Sequence, residues 1–382
     1  MVEDFREISH SDGKVTFSIT TDERGSKGFG IRWTHSRPVP AVLVGIYALP
    51  QGIPVATFKF GGLGQGWDPA PPVGCFPVFL SSDSEGKFGH NCHRCGGYWR
   101  SHAFPRACPY CANLPEAHHT LSDLQERYVR YYCDLLKDAL HTVDNGDVVI
   151  DMDEVADAAE RAVNRPAFYV SEEGQQHQFI CDSCGTFNDV LGSYAYCSGC
   201  GTRNDLDKLA DRIEKIRVSL SKQGEAESCL RDAVSTFDSF IAQYAKQLVN
   251  LVPMTKARKS RLERGRFYKI DEIRSIFEGW FDIQISKGVA SSDLAFAAKM
   301  FLRRHVHEHN GGEADAAYLS ESGDNNVREK QILRESAGEV HRLLGLLNRL
   351  GGNLHAGFHE IFPPLNEPIK DFLERTQRST RV

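Results

Sequence analysis

Two stretches of this chain carry the same cysteine pattern, and that pattern constrains the fold more than any other feature. CHRCGGYWRSHAFPRACPYC supplies Cys92, Cys95, Cys108 and Cys111, and CDSCGTFNDVLGSYAYCSGC supplies Cys181, Cys184, Cys197 and Cys200. Both read C-x2-C-x12-C-x2-C, and each cysteine of the second copy lies 89 residues after its counterpart. A pair of CxxC knuckles presents four thiolates that can close a tetrahedron around one ion. So short a stretch cannot build an apolar core, and a metal takes the core's place. The pattern predicts two zinc ribbons, at residues 89–114 and 171–204, each holding one structural zinc ion. An iron centre with the same ligands is the chemical alternative. Glycine follows the first knuckle in both copies (Gly96 and Gly185), where the backbone must turn so that amides face the sulfurs.

Eight of the eleven cysteines are absorbed in this way. Of the rest, Cys133 and Cys229 fall in helical patterns and read as small buried side chains, and Cys75 is left over. Cysteines grouped as ligands suit a reducing compartment. The polar, acidic start MVEDFREISHSDGK has no apolar core region. The longest apolar run, VPAVLVGIYALP, is too short to span a bilayer. These features predict a cytoplasmic protein with no membrane partner.

At 382 residues the chain is too long for one ordinary core. Its net charge of −6 excludes a uniformly basic nucleic-acid coat, but the charge is uneven. Residues 113–180 carry 5 Lys/Arg against 14 Asp/Glu, whereas residues 181–382 carry 29 against 28, so a polyanion would be met outside the acidic middle.

The fold class expected is α+β and multidomain. Residues 1–88 read as a small β domain, with strands in KVTFSIT, GFGIRW, AVLVGIYAL, PVATFKF and CFPVFL separated by turn residues. GGLGQG at 61–66 lacks the GK[ST] ending of a phosphate loop and reads as a glycine turn. The ribbons are separated by an acidic helical insert, 115–170, with helices over 121–143 and from Asp151, a good N-cap. Asp151, Asp153 and Glu154 read as complements of the helix dipole. Leu206, Leu209, Ile213, Ile216 and Leu220 mark a connector helix, 205–221. An all-α bundle of about four main helices follows over 222–364, then a tail, 365–382.

Three groups of residues outside the cysteines suggest chemistry. The first ribbon carries His90, His93, Arg94, Arg100, His102 and Arg106, a candidate contact surface. In the bundle, KARKSRLERGRFYK (256–269) has seven Lys/Arg, one Glu and an adjoining Phe-Tyr pair. Arg258, Lys259, Arg261 and Arg264 suit a phosphate backbone. The third group is FLRRHVHEHNGGEADAAYL, 301–319, where Arg303 and Arg304 precede His305, His307 and His309. Its helix is expected to start at a Ser291 or Ser292 cap and to end at Gly311–Gly312. Leu294, Ala298 and Phe301 are its expected buried stripe, which points His305 inward and leaves Arg304, Glu308 and His309 at the edge or outside. His305 and His309, with Glu308 between, also have a zinc-like spacing, but lack the HExxH order and a third ligand.

An arginine, four intervening residues and a histidine at the end of an amphipathic helix in a bundle resemble the HEPN superfamily (higher eukaryote and prokaryote nucleotide-binding domains). RRHVHEHNGGEADAAYL also resembles a longer run in some bacterial members. The resemblance covers roughly 222–362. It implies a metal-independent RNA endonuclease that acts as a homodimer, with two motif copies in one cleft, in a stress, toxin or phage-defence role. His309 would transfer protons, Arg304 would hold the phosphate, Asn310 would orient it, and His305 could share the proton transfer. Arg303 would join the nucleic-acid contacts. Leu343, Leu344, Leu346, Leu347 and Leu350 exceed one buried seam and suggest the dimer face. The alternative is a non-catalytic, dimerising HEPN-like scaffold whose ribbons and β domain bind nucleic acid or a protein.

Overall fold

Alternating apolar residues in KVTFSITT put Val15, Phe17 and Ile19 on one face of a strand, and all three are buried. This strand, β1 (Lys14–Thr21), pairs antiparallel with β2 (Lys27–Thr34), Lys14 facing Thr34 and Thr21 facing Lys27. The structure is a computed structural model and describes residues 6–35, 42–59, 66–161, 168, 175–221, 225–265 and 267–379. It forms two units, residues 1–202 with 365–382, and residues 203–364. The glycine turn expected at 61–66 lies, apart from Gly66, outside the described residues.

In the first unit β3 (Leu43–Ala48) lies between β4 (Pro54–Phe58) and β5 (Phe76–Ser81) in a second antiparallel sheet. Gly45 is required there, because a Cβ would fall 2.2 Å from the Phe58 ring. That ring stacks on Tyr47 and Trp67. A short hairpin follows, β6 (Phe88–Asn91) with β7 (Tyr98–Ser101). Helix α1 (Asp123–Thr142) starts in a capping box of Ser122 and Gln125 and buries Tyr128, Val129, Tyr132 and Leu136. The chain then returns as β8 (Gly146–Asp151) along the free edge of β1, giving the order β2-β1-β8. Asp151 caps α2 (Met152–Glu160), accepting from the amides of Asp153 and Glu154, as expected. The acidic insert is therefore not a separate domain. Its strand completes the N-terminal sheet, and its helices share one core with Val15, Phe17, Ile46 and Val78. A second hairpin, β9 (Gln176–Ile180) with β10 (Phe187–Leu191), closes this part of the chain.

The second unit is helical: α3 (Asp205–Leu220), α4 (Ala226–Leu251), α5 (Lys256–Glu263), α6 (Ile270–Phe281), α7 (Ser291–His309), α8 (Ala316–Ser322) and α9 (Ala337–Ile361). Helix α3 is no free connector. Leu209, Ile213, Ile216 and Leu220 are buried, and a Cβ at Gly351 of α9 would fall 2.4 Å from Leu209. Helices α3, α4 and α7 all pack on α9. The leucines read as a surplus face, Leu343, Leu344, Leu346, Leu347 and Leu350, are all buried inside this unit. A central helix wrapped on several sides needs a wide apolar stripe, so these leucines give no evidence of a dimer face. The last helix, α10 (Asn366–Ser379), belongs to the first unit, where Ile369 covers the second cysteine cluster and Phe372 packs on Gly185. Among the described residues no helix is long and apolar enough to cross a membrane.

Burial of His355 is expected to make the helical unit pH-sensitive. Tyr244 Oη lies 2.7 Å from His355 Nδ1. Burial, then the neighbouring His359 and Arg203, push the His355 imidazole down to about 3. An unfolded histidine titrates near 6.5. Because the folded value is the lower one, the unfolded chain takes up the proton first. His355 contributes its full stability above pH ~6.5 and loses it as pH falls towards 3, by up to about 1.4 kcal/mol per pH unit. The stability of the native protein relative to His355→Gln should therefore shrink between pH 7 and pH 5 in urea titrations. Parallel curves would exclude this role.

Candidate metal centres and the arginine–histidine site

The cysteines meet in two clusters. Sγ atoms lie 3.7 Å apart for Cys92–Cys111 and for Cys95–Cys108. They lie 3.8 Å apart for Cys181–Cys200 and 3.5 Å for Cys184–Cys197. A tetrahedron of sulfurs with ~2.3 Å bonds to a central ion has edges of about 3.8 Å, so the geometry fits a four-thiolate metal ion. The turns fit as well. Gly96 and Gly185 both have φ of +69°, in the left-handed region expected for them. The amides of Gly96 and Gly185 donate to the carbonyls of Cys92 and Cys181. Burial pushes the Cys108 thiol up, and the Cys111 thiol up to about 11, whereas Cys92, against the opposing effect of burial, is held down by the amides of Cys95 and Arg94.

Although the copies are separated in sequence, they are joined in space. Their hairpins form one four-stranded sheet, ordered β6-β7-β10-β9. The central strands meet with Arg100 opposite Asp189, and these two residues hold the same position in the two copies. The amide of Ala107 donates to Ser198 O at 3.0 Å and that of Tyr196 to Pro109 O at 2.8 Å, a pair of bonds that exchange when the copies are exchanged. The ribbons are thus related by a local two-fold axis.

Much of the expected contact surface of the first ribbon is used up in this arrangement. Arg100 is buried, with Nη2 2.7 Å from Asp189 and Nη1 2.9 Å from Asp83. His90 is fully buried, His102 stacks on Phe187, and Arg106 pairs with Glu367 at 2.6 Å. His93 stands 3.7 Å from Glu126, and Arg94 is exposed.

In the second unit, the side chains at the end of α7 point in three directions. The N-cap is Ala290 rather than a serine, and the buried residues are Ala297, Met300, Phe301, Arg303, Arg304 and Val306. The stripe is turned by one residue from the expected one. As a result Arg304 faces inward, while His305 is exposed beside His309, their ring centroids 4.6 Å apart. No third metal ligand joins them among the described residues. Gly311 and Gly312, with φ of +61° and +86°, end the helix as expected. Asn310 Nδ2 donates to Asp315 at 2.8 Å. The Tyr318 amide, then Asn310 and nearby His305, hold the Asp315 carboxyl below the usual range.

Arg303, expected among the nucleic-acid contacts, is buried and engaged within the helical unit. Its Nε lies 2.9 Å from Glu335, its Nη2 donates to Arg334 O at 2.8 Å, and Asp324 stands 3.5 Å from Nη1. His307 Nε2 shares Glu335 at 2.8 Å, and Tyr318 Oη donates to Asp324. These residues clamp α7 to the segment before α9.

Arg304 differs from the other buried arginines. Arg100, Arg203 and Arg303 each face a carboxylate. Arg304 is only 7% exposed, yet has no carboxylate partner among the described residues. Its guanidinium lies 4.8 Å above the Tyr268 ring. Nη2 is 3.5 Å from Ser235 Oγ, a long contact, and Nε has no hydrogen-bond partner. Tyr268 is the last residue but one of the basic segment KARKSRLERGRFYK, so that segment and the arginine–histidine helix meet at this ring. On α5, Arg258 and Arg261 lie 5.2 and 5.4 Å from the Trp280 ring, and Lys259 and Arg264 are exposed. Sequence reasoning missed Ser235, Trp280 and Glu335, none of which stands in a recognisable motif, and gave no role to Asp315, which lies within the 301–319 run. Comparison with family models, curated proteins and solved structures finds no match for this chain.

Proposed function

We propose that this chain is a metal-independent RNA endonuclease of the HEPN type that works as a homodimer. The observation that carries the reading is the state of Arg304. A buried guanidinium without an anion is costly, and this one has an unused Nε and a stacking partner that fixes its plane. A phosphate is the anion a planar arginine grips best, through two parallel hydrogen bonds. Basic side chains that can guide a polyanion stand on the segment that ends beside it, at α5.

In this mechanism a histidine takes the proton of the 2′-hydroxyl, that oxygen attacks the adjacent phosphorus, and a second histidine protonates the departing 5′-oxygen. Arg304 holds the extra negative charge of the phosphorane. His309 is the first candidate for proton transfer, with His305 beside it, and Asn310 orients the phosphate once it leaves Asp315. Arg304 and His309 are five residues apart, about 140° around the helix. Their divergence favours a cleft shared by two chains, where one copy's arginine meets the other's histidines. The four-cysteine clusters hold zinc in this reading, as structural ions that take no part in cleavage.

A single 2′-deoxy substitution in an otherwise cleaved RNA tests the chemistry. Cutting at that bond should stop, elsewhere it should continue in EDTA, and products should end in a 2′,3′-cyclic phosphate or its opened form. Normal cutting at the deoxy site would exclude the mechanism. A dimer that binds RNA without cutting it would support the scaffold alternative instead.

A further inference from the structure

The first unit holds a third group of metal-ligating side chains, separate from both cysteine clusters. A 3-10 turn at Ala117–Thr120 follows Glu116, and the His119 amide donates to Glu116 O at 2.9 Å. Three residues per turn stack positions three apart, so Glu116 and His119 share one side. His118 Nδ1 lies 3.6 Å from Glu116 Oε2, and the His118 and His119 rings are 4.1 Å apart. One ligand atom from each of the three residues falls within 4.8 Å of the others. A tetrahedral ion with ~2.05 Å bonds to nitrogen and oxygen needs ligand atoms about 3.3 Å apart. The Glu116–His118 pair is near that spacing already, and the exposed Glu116 and His119 side chains have freedom to close the rest.

We infer that Glu116, His118 and His119 form a divalent-metal site with an open coordination position. Two imidazoles and one carboxylate suit zinc and its borderline neighbours rather than a soft, thiolate-seeking ion. The group opens on a cavity of about 670 Å³, with His93, Arg94, Asn113 and Glu126 among its other lining residues. Three protein ligands leave at least one position on the ion for water or an anion, and Arg94 on the cavity lining offers that anion a cationic neighbour. The cysteine clusters are closed by four protein ligands each, so the two kinds of site differ in function. The closed ones build the fold, whereas the open one exchanges its ion and its outer ligand with solvent.

The test is a zinc titration of full-length protein already holding two zinc ions, read by competition with a chromophoric chelator and by elemental analysis. Native protein should take up a third equivalent. His119→Ala and Glu116→Gln, both at exposed positions, should keep two ions and bind the third about 10-fold more weakly or worse. Circular dichroism of both variants should match the native spectrum. Native protein that stops at two ions in tens of micromolar free zinc would overturn the site. So would a third ion held equally well by either variant.

Discussion

Cys197→Ser is expected to empty both four-cysteine clusters, not one. Two independent ribbons would lose one ion and keep the other. Here the hairpins share the central pair β7–β10, and the second knuckles are tied by the Ala107–Ser198 and Tyr196–Pro109 bonds. Cys197 stands between Tyr196 and Ser198, so loss of its ion loosens both ties. Arg100 and Asp189, 6% and 0% exposed, would be exposed to water together. Structural zinc contributes on the order of 10 kcal/mol or more in small ribbons, as much as the whole stability of a typical domain. The metal content of Cys197→Ser should therefore fall well below one ion per chain. Hydrogen exchange should show loss of protection in β6, β7, β9 and β10 together, with α4 and α9 still protected. One retained ion with β6 and β7 fully protected would show that the ribbons fold independently.

That coupling was encoded in the sequence, but as a relation between distant residues. Cysteine spacing is local, and it located both four-cysteine clusters. So were the signals that placed Gly96, Gly185 and the Asp151 cap. The shared sheet depends on pairing across 89 residues. Its one sequence trace is the opposite charge of Arg100 and Asp189 at equivalent positions, which has meaning only if the copies touch. Helix α7 failed for a different reason. Hydrophobic periodicity counts arginine as polar, but a long aliphatic stem lets Arg303 and Arg304 lie on the buried side. With both counted as polar, the stripe was placed one residue off and His305 was turned inward. Helix α9 failed because its surroundings were misjudged. The leucines exceed one seam, but α3, taken for a connector, covers part of them.

The two adjacent arginines of α7 should fail in opposite ways. Arg303→Ala removes the cation from Glu335, whose side chain is buried, and leaves that carboxylate with His307 and no arginine among the described residues. Breaking a buried pair on one side costs about 3–5 kcal/mol, so urea should unfold the helical unit at a clearly lower concentration. Arg304→Lys removes no internal ion pair among the described residues. Its stem still fills the space beside Tyr268, and the fold should keep its urea midpoint. Cleavage should nevertheless fall by about a hundredfold or more, because an ammonium cannot reproduce two parallel hydrogen bonds to the phosphorane. His309→Ala should also fold normally, since that side chain is exposed, and in the proposed mechanism should lose about 10²–10⁴ in rate with its proton transfer. In the composite cleft, mixing Arg304→Lys with His309→Ala gives heterodimers in which the native arginine of one chain still meets the native histidine of the other. A mixture of the two inactive variants should then recover part of the activity that neither shows alone. No recovery, with heterodimers shown to form by tagged co-purification, would place arginine and histidine of one chain in the same cleft and remove the need for a second copy.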